Sequence, residues 1–249
     1  MDTEEFSWPE GKRVAVSLSF DDARLTQPDV GFDILDRHDV RGTFYVTPRN
    51  VRERLDAWRA AAQTGHEIGN HTVTHPCSGN FPWARTNALE DYTLERMERE
   101  LLDANAQIED MLDVTPKTFA YPCGHTFIGR GENLRSYVPL VAKHFRVGRG
   151  AFDEIANDPT FCDLALVTGI DLDRTPWERA GTLIRSAATE GRWLVLFGHE
   201  VAPEGRQATS PVTLERLCEF CTDPTNGIWI DTVAAVGEYV RTLREGRPV

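Results

Sequence analysis

The stretch Gly69-Asn70-His71-Thr72-Val73-Thr74-His75, together with Ser19-Phe20-Asp21-Asp22 upstream, carries the residue types that bind a metal ion and put it to work. Two imidazoles four positions apart share one face of a helical turn. A carboxylate brought beside them completes a three-ligand set of Asp22, His71 and His75. Three protein ligands leave a coordination position open, which distinguishes catalytic from structural metals. The neighbouring carboxylate has a second use: Asp21 can take a proton from water while Asp22 ligates. Adjacent carboxylates in different surroundings divide such roles. Neither motif is specific alone, because His-x-x-x-His pairs recur on helices and Asp pairs occur as helix caps.

What joins them is the pattern of elements around them. Residues 14–20 form a short run rich in β-favouring apolar residues and predict a buried strand that ends at the Asp pair. Residues 67–70 read as the end of another strand, immediately before His71. Ligands at the C-terminal ends of parallel strands share one rim, where barrel folds place their chemistry. The rest of the chain alternates in the same way. Strands are expected at 42–46, 118–121, 145–149, 164–170, 193–197 and 227–230. Helices are expected at 29–36, 51–63, 90–112, 134–143, 176–190, 212–221 and 232–244. Leu94, Met97, Leu101, Ala104, Ile108 and Met111 recur at three and four residues and mark a helix face that packs on a barrel. Repeated strand–helix units imply a parallel sheet, and seven or eight of them imply an α/β barrel.

At these residues the chain resembles the polysaccharide deacetylases, the NodB-homology domain of carbohydrate esterase family four. The resemblance rests on Ser19-Phe20-Asp21-Asp22, on Gly42-Thr43-Phe44-Tyr45-Val46 and on the segment from His66 to Pro76. Two later motifs follow in order, Phe119-Ala120-Tyr121-Pro122-Cys123-Gly124 and Leu194 to Glu200. It covers residues 14–230, nearly the whole chain. It implies a distorted (β/α)7-8 barrel, with residues 1–249 as one catalytic domain. It also implies a divalent metal held by Asp22, His71 and His75, Asp21 as base and His199 as acid. The implied activity is removal of an N- or O-linked acetyl group from a carbohydrate. By ligand type the metal is expected to be zinc, and cobalt, nickel or iron also suit two His and a carboxylate.

The chain departs from the family pattern twice. The third motif lacks the Arg that holds the catalytic Asp and has Cys123 where the family has Tyr; Phe-Ala-Tyr-Pro-x-Gly resembles a subgroup. The Cys123 N–H can still serve an oxyanion, a role that needs no side chain. Arg149, at the end of the 145–149 strand, is expected to replace the missing guanidinium beside Asp21. The fourth motif is represented only by Asp171-Leu172-Asp173 and Trp177. Either Asp can orient His199; Asp171 is preferred because it lies closer to its strand.

Composition fits this reading. The 249 residues can enclose one large core, and a net charge of −12 argues against nucleic acid. The same charge disfavours strongly anionic polymers unless a local basic patch overrides it. An acidic N-terminus and the lack of a long apolar run predict a cytoplasmic chain with no membrane span. Five cysteines, an odd number, are expected as reduced thiols, with Cys218 and Cys221 in a helix core and Cys77 in a loop as a possible soft ligand. Gly124 to Asn133, and Phe81-Pro82-Trp83, are candidate substrate-facing loops, the latter offering rings for sugar stacking. Two other functions compete: hydrolysis of a small cyclic amide or ureide, as in allantoinase-like relatives, and a catalytically inactive carbohydrate-binding barrel.

Overall fold

The computed structural model describes residues 6–245; residues 1–5, which include the acidic start, and 246–249 lie outside the described residues. The main sheet contains β1 (Val14–Asp21), β2 (Thr43–Val46), β3 (Glu67–Asn70), β4 (Thr118–Ala120), β5 (Val147–Arg149), β6 (Ile170–Asp171), β7 (Trp193–Gly198) and β8 (Ile228–Ile230). Its order is β5-β4-β3-β2-β1-β7-β6, with β8 beside the first half of β1, and every pairing is parallel. A parallel bridge between Arg149 and Val167 links the two edges, so the sheet curls into the expected distorted barrel.

The two faces of β1 separate cleanly, as the period of two requires. Val14, Val16, Leu18 and Phe20 point outward into the main core, where Phe20 stacks on Phe44 at 5.4 Å. That core is capped by α1 (Phe32–Arg37), α2 (Leu55–Gln63), α5 (Trp177–Thr189) and α6 (Pro211–Thr222). Ala15, Ser17, Ser19 and Asp21 take the other face and point along the barrel interior. There Ser17 accepts from the Trp193 indole at 3.0 Å and Ser19 donates to the Leu196 carbonyl at 3.0 Å. The interior is narrow. A Cβ on Gly69 would lie 2.5 Å from the Tyr45 ring, so only glycine fits there. Half-buried Glu67 accepts from Thr43 Oγ1 at 2.8 Å and from the Ala234 N–H at 2.8 Å. It thereby ties the barrel floor to α7 (Val233–Glu245).

Several expected elements shift, each for a local reason. Residues 164–170 are not one strand: Asp163 accepts from the Ala165 N–H at 2.9 Å and starts a 3-10 turn at Leu164–Leu166, leaving only Ile170–Asp171 to pair with β7. The helix at 90–112 begins at Leu94, because Thr93 caps it by accepting from the Arg96 N–H; this is α3 (Leu94–Leu112). The helix at 134–143 begins at Val138, giving α4 (Val138–His144): Pro139 belongs in a first turn, and Arg135–Ser136 pairs instead with Phe127–Ile128. The helix at 29–36 becomes a π-turn at Gln27–Gly31 followed by α1. The helix at 51–63 divides into Pro48–Val51, a 3-10 turn and α2.

Candidate active site

Asp21 is the last residue of β1 on its interior face, and Asp22 is the first beyond it. Asp22 turns the chain sharply with φ +73°, held by its own N–H on the Tyr45 carbonyl at 2.9 Å and by Asn50 Nδ2 on its carbonyl at 2.7 Å. The two carboxylates therefore diverge, one into the barrel and one toward the rim. His71 follows β3, and its N–H extends the ladder to the Val46 carbonyl at 3.2 Å.

The histidines do not lie on a helical turn. Residues 71–75 form a loop in which Thr72 and His75 have φ +64° and +50°. Asn70 Oδ1 accepts from the Thr72 N–H at 2.7 Å, and Thr72 Oγ1 from the His75 N–H at 3.0 Å. Glu100, on α3, accepts from the N–H groups of Val73 and Thr74 at 3.1 and 3.0 Å. These anchors bring the two rings together at 4.8 Å without helical geometry.

His71 Nε2 and His75 Nε2 lie 3.5 and 3.3 Å from Asp22 Oδ1. Those spacings are long for hydrogen bonds but match the edges, about 3.3–3.6 Å, of a tetrahedron whose metal–ligand bonds are about 2.0–2.2 Å. The surroundings fit a cation as well. His71 Nδ1 sits 2.9 Å from the Ala120 carbonyl, which fixes the tautomer that turns the Nε2 lone pair toward Asp22. Burial lowers the His71 pKa to about 4, so the ring stays neutral, as a ligand must. Arg24 donates through Nε and Nη2 to Asp22 Oδ2 at 3.1 and 2.9 Å, leaving Oδ1 for the metal. Burial opposes the Asp22 charge, but His75, His71 and Arg24 outweigh it and bring its pKa to about 2. The three ligand atoms are close enough to share one ion, and this donor set fits a divalent metal.

Arg149 is fully buried and its Nη2 donates to Asp21 Oδ1, while Nη1 donates to the Gly150 carbonyl at 3.0 Å. The guanidinium lies over the Phe197 and Tyr45 rings at 4.7 and 5.1 Å. The same strand-end position that suggested Arg149 in the sequence delivers it to Asp21. Burial works against the Asp21 charge, yet Arg149, His71 and His199 together hold its carboxyl below the usual range.

His199 follows β7. Its Nδ1 is 2.7 Å from Asp173 Oδ2, and its N–H donates to Asp173 Oδ1 at 3.1 Å. Asp171, preferred from sequence, does not make this contact. Its Oδ1 accepts from the Asp173 N–H at 2.9 Å, so Asp171 closes the turn that swings Asp173 onto the imidazole. Burial disfavours the His199 charge, but the bond to Asp173 and the charges of Asp21, Asp173 and Asp22 raise its pKa above the ordinary value. Nε2 is left toward the cleft, 3.2 Å from Gln207 Nε2. Gln27 ties both halves together, donating to the Asp21 and His199 carbonyls at 2.6 and 2.8 Å. Trp177 packs on Phe220 at 5.3 Å, at the start of α5.

Cys123 lines the cleft in a turn at Pro122–Gly124, with φ +54°. It is disulfide-bonded to Cys77, which corrects the expectation of reduced thiols throughout. Cys77 is therefore not a soft ligand either, since a sulfur in a disulfide offers no thiolate. The bond staples the His75 loop to the turn after β4. Cys162, Cys218 and Cys221 are free, the last two buried as expected. Asp21, Asp22, His71, His75, Cys123 and His199 border one cleft of about 940 Å³, whose lining also includes Phe81, Trp83 and Phe152.

Sequence reading missed Arg24, Gln27, Glu100 and Gln207. Arg24 was the most accessible, two residues after Asp22; Gln27 and Gln207 lie six and eight residues from Asp21 and His199, but no motif marks them, and Glu100 acts across 27 residues.

A polysaccharide deacetylase family profile matches residues 9–135. A peptidoglycan-N-acetylglucosamine deacetylase of Bacillus cereus is 30% identical over 127 residues, which cover 51% of this chain and 42% of that protein. The chain thus spans less than half the length of this curated relative. Among solved structures, a Mycobacterium smegmatis protein assigned to the polysaccharide deacetylases superposes with a TM-score of 0.67 at 18% identity, covering 95% of this chain and 93% of that one. A family 4 acetyl xylan esterase from Clostridium thermocellum, in complex with a cobalt ion, gives 0.57 at 21% identity over 90% and 91%. At these identities the structural matches speak for the barrel. Among the described residues no helix is long and apolar enough to cross a membrane.

Proposed function

Because the chain belongs to the polysaccharide deacetylase family, we propose that it is a divalent-metal-dependent hydrolase that removes an acetyl group from a carbohydrate. The observation that carries this reading is the convergence of Asp22, His71 and His75 with the Asp21–Arg149 and His199–Asp173 pairs at one end of the barrel. A metal held by Asp22, His71 and His75 would supply Lewis acidity toward the acetyl carbonyl and lower the pKa of water. Zinc suits two imidazoles and a carboxylate best, and cobalt, nickel and iron suit the same donors.

Asp21, kept ionised and oriented by Arg149, takes the proton from the attacking water. The Cys123 N–H donates to the carbonyl oxygen as negative charge develops there. His199, protonated because Asp173 supports its charge, gives a proton to the departing nitrogen or oxygen. Phe81 and Trp83, exposed and with rings 5.4 Å apart, offer a stacking face for the sugar. Residues 14–230 are read as the catalytic core. The Cys77–Cys123 bond suits an oxidising compartment better than the cytoplasm expected from the sequence.

Acetate release from N-acetylated and O-acetylated oligosaccharides, assayed beside a panel of cyclic ureides, tests the reading. Release from the sugars alone is expected. Turnover of a ureide, with none of any acetylated sugar, would replace it.

A further inference from the structure

Resting on the deacetylase reading above, we propose that the substrate is an acidic carbohydrate. A carboxylate or phosphate group near its acetylated sugar would be held by Arg49, Arg174 and Arg206 at the cleft mouth. The three side chains line the same cleft as the metal ligands, and all three are exposed. None has a carboxylate within salt-bridge distance among the described residues.

With 39 acidic against 27 basic residues, many arginines have a carboxylate partner, as in Arg54–Asp29, Arg146–Glu238 and Arg192–Asp158, and others, such as Arg99 and Arg179, have none among the described residues; what sets Arg49, Arg174 and Arg206 apart is that all three line the cleft. The carboxylates inside the cleft do not neutralise the three. Asp21 is taken by Arg149, Asp22 by Arg24 and the two histidines, and Asp173 by His199. Asp171 is half-buried, its carboxylate accepts from a backbone N–H, and it feels the Arg174 charge only from beyond ion-pair distance.

Their places in the fold make a continuous surface. Arg49 follows β2, Arg206 follows β7 and Arg174 follows β6, while Arg24 follows β1 between them. In sheet order these strands are neighbours, β2-β1-β7-β6. The Arg174 N–H donates to the Ala208 carbonyl at 2.8 Å, so the loops carrying Arg174 and Arg206 are joined. The aromatic groups Phe81 and Trp83 follow β3 instead. An oligosaccharide lying across the rim would thus meet rings at one end and guanidinium groups at the other. Guanidinium forks match carboxylate and phosphate oxygens, and their planar donors discriminate against neutral hydroxyls. The net charge of −12 repels long polyanions at a distance, so the site favours a few local charges.

The test is calorimetric titration of the purified protein with four deacetylated probes. They are a glucuronate-containing disaccharide, a disaccharide phosphate, a neutral disaccharide of equal size, and inorganic phosphate alone. One of the acidic sugars is expected to bind at least about tenfold more tightly than the neutral one, with affinity falling as salt rises. Which one does so identifies the anionic group. Arg174→Ala and Arg206→Ala should each weaken that binding about three- to tenfold, and Arg99→Ala, an exposed position on α3, should leave it unchanged. Equal affinity for neutral and acidic sugars, or phosphate alone binding as well as the sugar phosphate, overturns the proposal. So does acidic binding that survives loss of both cleft arginines. Acetate release from N-acetylated and O-acetylated oligosaccharides, measured in parallel, reports on the deacetylase reading separately: release without acid preference removes only this inference, and acid preference without release removes that reading and leaves an acidic-sugar site.

Discussion

Replacing Arg149 with Met should make the stability of the metal-free protein depend on pH in the opposite sense to the wild type. In the wild type Asp21 has a depressed pKa, so its contribution is present above the unfolded value of about 3.9 and is lost as pH falls through the folded value. Arg149 is fully buried and Asp21 nearly so. Removing the guanidinium leaves an unpaired carboxylate in that environment, and burial drives its pKa upward. The carboxyl then escapes the full charge penalty by taking a proton. The cost of doing so at pH 7 is about 1.4 kcal/mol for each unit above 3.9, or about 4 kcal/mol. At pH 5 it falls to about 1.5 kcal/mol. Against a typical stability of about 5–15 kcal/mol the variant still folds. Denaturant titrations of Arg149→Met and wild type at pH 5, 6 and 7 should show the gap shrinking as pH falls. In the metal-loaded protein, the acidic limb of the turnover profile should move to higher pH, because Asp21 must be ionised to act as base. A stability gap that is independent of pH, with an acidic limb that stays in place, would refute the assigned role of Arg149.

Asp21→Asn should retain the metal and lose about 10²–10⁴-fold in turnover, whereas Asp22→Asn should lose metal in elemental analysis; identical behaviour would remove the division between base and ligand. Asp173→Asn should lower the His199 pKa and bring the alkaline limb of turnover to lower pH, and Asp171→Asn should move it less; pH profiles on an amide substrate separate the two. Reducing the Cys77–Cys123 bond, or replacing both cysteines with Ser, should lower the melting temperature by an amount equivalent to about 2–4 kcal/mol and loosen the His75 loop, which calorimetry and metal affinity would register together.

The barrel was legible because its strands are short runs rich in β-favouring apolar residues, with chemistry-bearing polar residues at their C-terminal ends. Val14–Phe20 forecast both β1 and the position of Asp21 at its end. Arg149 could be placed by the same reasoning, since a residue ending a parallel strand faces the common rim. Residues that depend on how the chain turns after a strand were harder. Asp171 lies on the strand, yet the turn beyond it carries Asp173 to His199. The His71–His75 spacing has two solutions, a helical turn or a loop with left-handed residues, and side-chain caps from Asn70 and Thr72 select the second. The Cys77–Cys123 pair was hidden because the contact spans 46 residues and depends on two loops whose relative position only the fold sets.

The central claim is most directly tested by following acetate release from an oligomer of N-acetylglucosamine before chelation, after chelation and after re-addition of zinc or cobalt. The wild-type protein should lose activity on chelation and regain it with metal, while His71→Ala should neither retain metal nor recover. Acetate release undiminished in protein shown to be metal-free, or no release from any acetylated sugar at full metal occupancy, would contradict the assignment of Asp22, His71 and His75 as the centre of a carbohydrate deacetylase.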